Sequence, residues 1–429
     1  MKRWVKIREW TRLFSEYATA QAVIQLLGIL AGLWLVNLLP VREYALYTFA
    51  LSLLTFLSVF SDLGVSSALL FFRRETRTAG AAFAPYVRAA YKIRYGLLVL
   101  GACAGLAFMA TIGPDRGFAA AEISAIGAIL VAAVWAQVGS SVALLQLRLE
   151  GLYRESYFAE ASGNAVRLLA VAAMWLAAAP LAWLAMLSGA AGSLATRIAA
   201  GRNYPRTEQL PSEEPSLSER RPLEGIVRYV LPMSLSAAYF SIQAPLTVWL
   251  SAYYAGIQSV AEIGALGRLG LIFGVISGFM GTVLIPRLSA VTDDAHYLRR
   301  YLQFWAVLAA FGAGVIALAW VVPHWFLLLL GDSYGGLGNG VLLVAISSVL
   351  SAWGGYVVGI NNARGWVRAQ PASLSVFAAI QVSLIMVLDL SNTIGVLYYG
   401  LWSNLAALIL QAAINTAGFL KVTWVSARK

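Results

Sequence analysis

The chain has 429 residues, of which 60% are hydrophobic and only 12% charged, and its mean hydropathy is +0.74. Soluble domains carry about 25% charged residues, so a string of soluble domains is excluded and a polytopic membrane protein is indicated. The few charges are biased: 31 Lys and Arg face 20 Asp and Glu, a net +11.

A spanning helix needs about 20 predominantly apolar residues. That rule gives twelve spans, near 17–39, 45–72, 95–113, 121–147, 156–178, 181–200, 226–250, 260–285, 303–325, 338–361, 371–390 and 395–420. The first is too long for a signal-peptide core and lacks a small-residue cleavage pattern, so it reads as a retained helix. Its residues Gln21, Gln25, Gly28 and Gly32 share one helical face. In the second span Thr55, Ser58, Asp62 and Ser66 line up at i, i+3, i+7 and i+11. In the fifth, Glu160, Asn164 and Arg167 do so at i, i+4 and i+7. Arg167 is then about 15 Å deep, near the bilayer middle.

Ionisable groups inside spans are costly and face a cavity, a partner or a pathway. Two readings stand side by side for these stripes. They line an aqueous cavity, or Asp62, Glu160 and Arg167 neutralise one another as a buried network. After the sixth span, residues 201–224 contain PSEEPSLSERRP. That composition cannot bury a core, so it reads as a linker between an N-terminal bundle, 1–200, and a C-terminal bundle, 225–429.

Span seven carries Pro232 and Pro245 with Ser234, Ser236, Ser241 and Gln243 between them. Each proline removes a backbone hydrogen bond, giving a static kink or a bending point for conformational change. In span eight Gly267, Gly270, Gly274, Gly278 and Gly281 make a ridge suited to close helix approach. Arg268 sits beside it with no acidic residue on its own helical face. Guanidinium pairs with phosphate as a bidentate fork and stays charged when desolvated, so Arg268 is a ligand-binding candidate.

Basic residues collect in cytoplasmic connectors. With the N-terminus inside, 27 of the 31 fall on one side, Arg42 and Arg116 on the other, and Arg167 and Arg268 within spans. Both termini are therefore expected in the cytoplasm. The single cysteine, Cys103, excludes an internal disulfide, and His296 and His324 lack ligand-spaced partners. No catalytic motif and no cofactor-binding motif is present, and the basic excess orients the chain rather than forming a nucleic-acid surface.

Leu39-Pro40-Val41-Arg42-Glu43-Tyr44 followed by Phe60-Ser61-Asp62-Leu63-Gly64 resembles the start of polysaccharide transporters of the O-antigen flippase type. These belong to the multidrug/oligosaccharidyl-lipid/polysaccharide (MOP) exporter superfamily. Ala261-Glu262-Ile263-Gly264-Ala265-Leu266-Gly267-Arg268-Leu269 and Leu284-Ile285-Pro286-Arg287-Leu288-Ser289 resemble the same family's eighth helix and its exit. Ala45 departs from the glycine usual after Glu-Tyr. The resemblance implies an all-α transporter of about 12 transmembrane helices, with two six-helix bundles in a V around a cavity. The implied cargo is a polyprenyl-pyrophosphate-linked sugar or oligosaccharide, flipped across a bacterial cytoplasmic membrane for O-antigen, capsule or exopolysaccharide assembly. Membrane lipids and a polysaccharide polymerase or chain-length regulator are the implied partners. On that reading Arg167 and Arg268 take the pyrophosphate, and Asn164, Gln21, Gln25 and Gln243 take sugar hydroxyls. Asp62 and Glu160 serve charge balance or coupling, with Pro232 and Pro245 as hinges. Two rivals are a cation-coupled multidrug exporter of the same fold and a membrane polymerase or glycosyltransferase. The first would be expected to carry a carboxylate in span one, and none is there; the second needs a sizeable external loop, and the longest, near 326–337, holds one acid.

Overall fold

The computed structural model describes residues 2–79, 83–112, 119–203, 220–279, 288, 294–366 and 369–426. They are helical almost throughout, with no strand among them. The chain divides into two compact units, Met1–Leu246 and Thr247–Lys429. The first unit holds α1 (Lys2–Leu38), α2 (Val41–Asp62), α3 (Val65–Ala79), α4 (Ala84–Ile112), α5 (Ala120–Leu149), α6 (Tyr153–Leu176), α7 (Ala182–Asn203) and most of α8 (Arg220–Leu250). After a π-helical turn at Ser251–Ala255, the second unit holds α9 (Ile257–Phe279), α10 (Asp294–Val321), α11 (Pro323–Leu330), α12 (Gly338–Ala363), α13 (Gln370–Val387) and α14 (Thr393–Ser426).

Within the described residues, each of the twelve sequence spans falls on one or two of these helices, the last part of 260–285 lying outside them. Among the described residues, eight helical stretches are each long and apolar enough to cross a bilayer, and bent α8 makes a ninth. This is a multi-pass membrane protein. Of the long helices outside that set, α6 carries the Glu160–Arg167 stripe, α7 is diluted by Gly, Ser and Arg197, and α9 carries Glu262 and Arg268. The linker expected at 201–224 lies mostly outside the described residues, with α7 running to Asn203 and α8 starting at Arg220. Gly281 and much of the 284–289 motif lie outside them too.

The single helix expected over 45–72 is two. Leu63 (φ 35) and Gly64 (φ +95) take left-handed backbone conformations and end α2. The Asp62 carboxylate then accepts the Ser66 amide at 3.2 Å and its hydroxyl at 2.6 Å, satisfying the restarted helix. Asp62 therefore serves the break itself. Leu69 of α3 packs with Phe83, just before α4, with Val87 of α4 and with Ile226 of α8 in one buried cluster. Phe72 stacks on Tyr86, with ring centroids 4.7 Å apart.

Helices surrounded by lipid associate through close packing and polar contacts rather than through water exclusion. The α6–α7 crossing shows this at Gly163 and Gly192. A Cβ on Gly163 would lie 1.9 Å from Thr196 Oγ1 and 2.6 Å from the Gly192 carbonyl. At the opposite end of the unit, Arg42 forks onto Glu122 of α5 at 2.9 and 2.7 Å. Glu43 accepts the Ala182 amide at 2.8 Å, capping the N-terminus of α7.

In the second unit, Tyr297, Tyr301, Leu308, Ala352, Tyr356 and Ile360 form the buried core between α10 and α12. A polar network crosses it: Tyr301 donates to Asn415 Oδ1 at 2.8 Å, Asn415 donates to Asn361 Oδ1 at 2.9 Å, and Asn361 donates to the Gln411 carbonyl at 3.0 Å. On α9, Gly270 lies against Val344 and Ser348 of α12, the close approach expected of a glycine ridge. Glu262 is bonded to Gln258 and Thr393.

Candidate functional site

A cavity of about 320 Å³ lies inside the first unit, between α2, α5, α6 and α7. Each wall is one helical face. Ala133, Gln137, Ser140 and Leu144 of α5 recur at i, i+4, i+7 and i+11. Glu160, Gly163, Asn164 and Arg167 of α6 form the opposite wall, and Gly189, Gly192, Ser193 and Thr196 of α7 close one side. Tyr47, Leu51 and Leu54 of α2 complete it. The glycines keep α6 and α7 close, so polar side chains one turn away converge on one space.

The polar groups are mostly engaged. Ser193 donates to Gln137 Oε1 at 2.7 Å. Arg148, at the end of α5, reaches across the three-residue connector before α6. It holds Glu160 Oε2 at 2.7 Å and donates from Nε to Ser156 Oγ at 2.9 Å. Asn164 donates to the Glu160 carbonyl at 3.2 Å, and its Oδ1 faces Gly28 of α1. Arg167 Nη2 donates to the Tyr47 hydroxyl at 3.2 Å. Its Nε is buried with no hydrogen-bond partner among the described residues, and no carboxylate there pairs with it.

Among the described residues the cavity therefore carries one cation without a paired carboxylate, since Glu160 is already matched by Arg148. Removing a cation from water without a paired acid is costly; Arg167 is half-buried, and the Tyr47 phenol is the group that meets it there. The arrangement can accept an anion in the planar, bidentate manner of a guanidinium.

Of the residues singled out from sequence, Glu160, Asn164 and Arg167 stand together on this wall. Gln21 and Gln25 are half-buried on α1 and do not line the cavity, although their face continues at Gly28 toward Asn164. Asp62 is apart from it, paired with Arg94 of α4 at 3.4 Å. The network in which Asp62, Glu160 and Arg167 neutralise one another is thus not formed. Each carboxylate has its own arginine instead, because Arg94 and Arg148 lie nearer to them in space than Arg167 does. Gln243 is half-buried on α8, and Arg268 is half-buried on α9 in the second unit; neither lines this cavity. α8 bends by 69° between the segment ending at Pro232 and the one beginning at Ser234. Pro245 lies within the second segment.

Three contributors went unread in the sequence. Arg148 and Arg94 counted there as cytoplasmic rim residues, and Tyr47 counted as part of an apolar span. The polar residues Gln137 and Ser140, three apart on one face of α5, were visible at helical spacing.

No protein-family profile and no curated protein matches the sequence. Solved structures do match over nearly the whole chain. One is the lipid II flippase MurJ in an inward closed conformation, with TM-score 0.67 at 13% identity, covering 95% of this chain and 90% of that one. Another is an inward-facing multidrug resistance MATE family transporter of the MOP superfamily, with TM-score 0.64 at 16% identity, covering 94% and 96%. A MOP superfamily transporter from Pyrococcus furiosus matches with TM-score 0.58 at 16% identity, covering 94% and 93%. The chain has the fold of the MOP transporters.

Proposed function

We propose that the protein is a flippase that moves a polyprenyl-pyrophosphate-linked sugar or oligosaccharide from the cytoplasmic to the outer leaflet by alternating access, for cell-surface polysaccharide assembly. The observation that supports it is the pairing of charges in the first-unit cavity: among the described residues Arg167 has no carboxylate, while Glu160 is held by Arg148. An anionic carrier phosphate supplies the missing charge, and Asn164, Gln137 and Ser193 offer hydrogen bonds to hydroxyls. Arg268 is assigned the same phosphate-binding role in the second unit. The lipid tail stays in the bilayer, so only the polar head needs protein lining. On this reading both termini are cytoplasmic, in keeping with the positive-inside bias of the sequence. The bend after Pro232 is assigned the hinge.

A second reading rests on Glu160, a carboxylate lining the same cavity. Released from Arg148, it would suit a cation-coupled drug exporter of the same fold. Reconstitution in vesicles separates the two. The flippase reading expects translocation of a polyprenyl-pyrophosphate glycan that is lost in Arg167→Ala and partly kept in Arg167→Lys. Unchanged glycan translocation in Arg167→Ala, or efflux of cationic dyes that is lost in Glu160→Gln, overturns it.

A further inference from the structure

Elsewhere in the first unit, another arginine sits among aromatic rings rather than acids. Arg197 of α7 lies with its guanidinium carbon 4.6 Å from the centre of the Trp135 ring of α5. Its Nη1 is 3.5 Å from the Tyr95 hydroxyl of α4, at the outer limit of a hydrogen bond. Tyr95 in turn stacks on Trp135 at 6.3 Å and on Tyr91 at 6.0 Å. The seat is formed by a missing side chain: a Cβ on Gly139 would fall 2.8 Å from Arg197 Nη1. Among the described residues no carboxylate is within ion-pair distance of Arg197. Arg73, Arg94 and Arg148 of the same unit each have one, in Glu150, Asp62 and Glu160.

The cluster is open to its surroundings. Trp135 is 45% exposed, and Val99, Leu194 and Ile198 around it are exposed as well. Large apolar side chains exposed on a membrane-spanning helix face acyl chains. A half-buried cation there is costly unless a counter-charge meets it, and the aromatic faces offset only part of that cost. Arg88 and Lys92, both exposed, stand at i−7 and i−3 from Tyr95 on the same face of α4, which extends the positive band.

We propose that Arg197, Trp135 and Tyr95 form a binding site for the headgroup phosphate of an anionic phospholipid, with its acyl chains along the exposed apolar faces of α4, α5 and α7. The guanidinium meets the phosphate, the indole and phenol flank it, and Arg88 and Lys92 add attraction for net negative headgroups. Arg197 does not line the inner cavity, so this site stands whether or not the flippase reading does.

The test uses the full chain in phosphatidylcholine vesicles containing a small fraction of either brominated phosphatidylglycerol or brominated phosphatidylcholine. The chain has 14 tryptophans, so the Trp135 signal is taken as the difference between wild type and Trp135→Phe. Brominated phosphatidylglycerol is expected to be enriched at Trp135 by about fivefold, the attraction of one basic residue near the surface. Arg197→Gln removes that preference, and Arg197→Lys keeps part of it. Equal quenching of the Trp135 signal by the two lipids overturns the proposal, as does an undiminished preference in Arg197→Gln. If Arg197→Gln does not insert, the wild-type difference between the two lipids decides, because it requires no change at 197.

Discussion

The Arg148 guanidinium holds the Glu160 carboxylate at 2.7 Å, and this contact sets the sign of the first-unit cavity. With Glu160 matched, Arg167 is the charge that a ligand would meet. Arg148→Gln should expose a free carboxylate beside Arg167 and lower transport of an anionic cargo by an order of magnitude, about 1.4 kcal/mol in barrier terms. Adding Glu160→Gln should restore most of it. A vesicle translocation assay on the two single variants and the double gives the coupling directly, and additive losses would show that the contact does not set the cavity charge.

Tyr47→Phe removes the one hydroxyl that holds Arg167 Nη2. The stability loss is expected near 1 kcal/mol, the size of one hydrogen bond. Cargo affinity should rise or stay level, since the guanidinium gains a free donor. Thermal unfolding and a binding titration on the same preparation measure both.

Asp62→Asn tests the break between α2 and α3. Asparagine can still accept from Ser66, so the cap survives, but Arg94, only 5% exposed, loses its counter-charge. Removing one partner of a buried pair costs about 3–5 kcal/mol, and the partial exposure of Asp62 places this toward the lower end. Ser66→Ala should cost about 1 kcal/mol. Comparable losses for the two in a detergent melt would mean that the ion pair contributes little.

Gly163→Ala should separate α6 from α7. The new methyl meets the Gly192 carbonyl at 2.6 Å as well as Thr196 Oγ1 at 1.9 Å, so removing the hydroxyl with Thr196→Ala should not rescue it. Overpacking of this kind costs about 1–3 kcal/mol, and the cavity wall moves with it. Full rescue by the double variant in thermal melts would locate the conflict at the hydroxyl alone.

The Asp389 carboxylate, outside the spans, is held below the usual range by hydrogen bonds from the Ser391 hydroxyl and amide. A depressed value favours the folded loop above the carboxylate's ordinary pKa, and that contribution fades as pH falls through the folded value. Amide exchange of Ser391, followed from neutral to acid pH with base rates corrected, should show protection falling in the wild type and already low in Asp389→Ala.

Much of this was legible from hydropathy, because twelve apolar stretches in lipid have little choice but to be helices. The α6 stripe was also legible: Glu160, Asn164 and Arg167 share a face by periodicity alone, and that face turns to the cavity. Arg94 was not. The apolar run begins at Tyr95, which suggested a rim position, whereas α4 starts at Ala84 and carries Arg94 inside the bundle opposite Asp62. Hydropathy sums a window and cannot see a cation matched by an acid 32 positions away. Arg148 and Glu160 were nearer to being readable, since a three-residue connector must fold α6 back beside the end of α5. Charges flanking so short a turn lie side by side and pair across it.

The interruption at Leu63–Gly64 also bears on how the chain matches its bilayer. The apolar stretch Val41–Thr76 runs for 36 residues, which as one straight helix would extend about 54 Å against a hydrocarbon core of about 30 Å. Tilt alone absorbs only part of that surplus. The interruption leaves two shorter helices in its place, α2 of 22 residues and α3 of 15, and the Arg94–Asp62–Ser66 contacts fix where one gives way to the other. One carboxylate thus marks the joint in a stretch that, as a single rod, would outrun the bilayer.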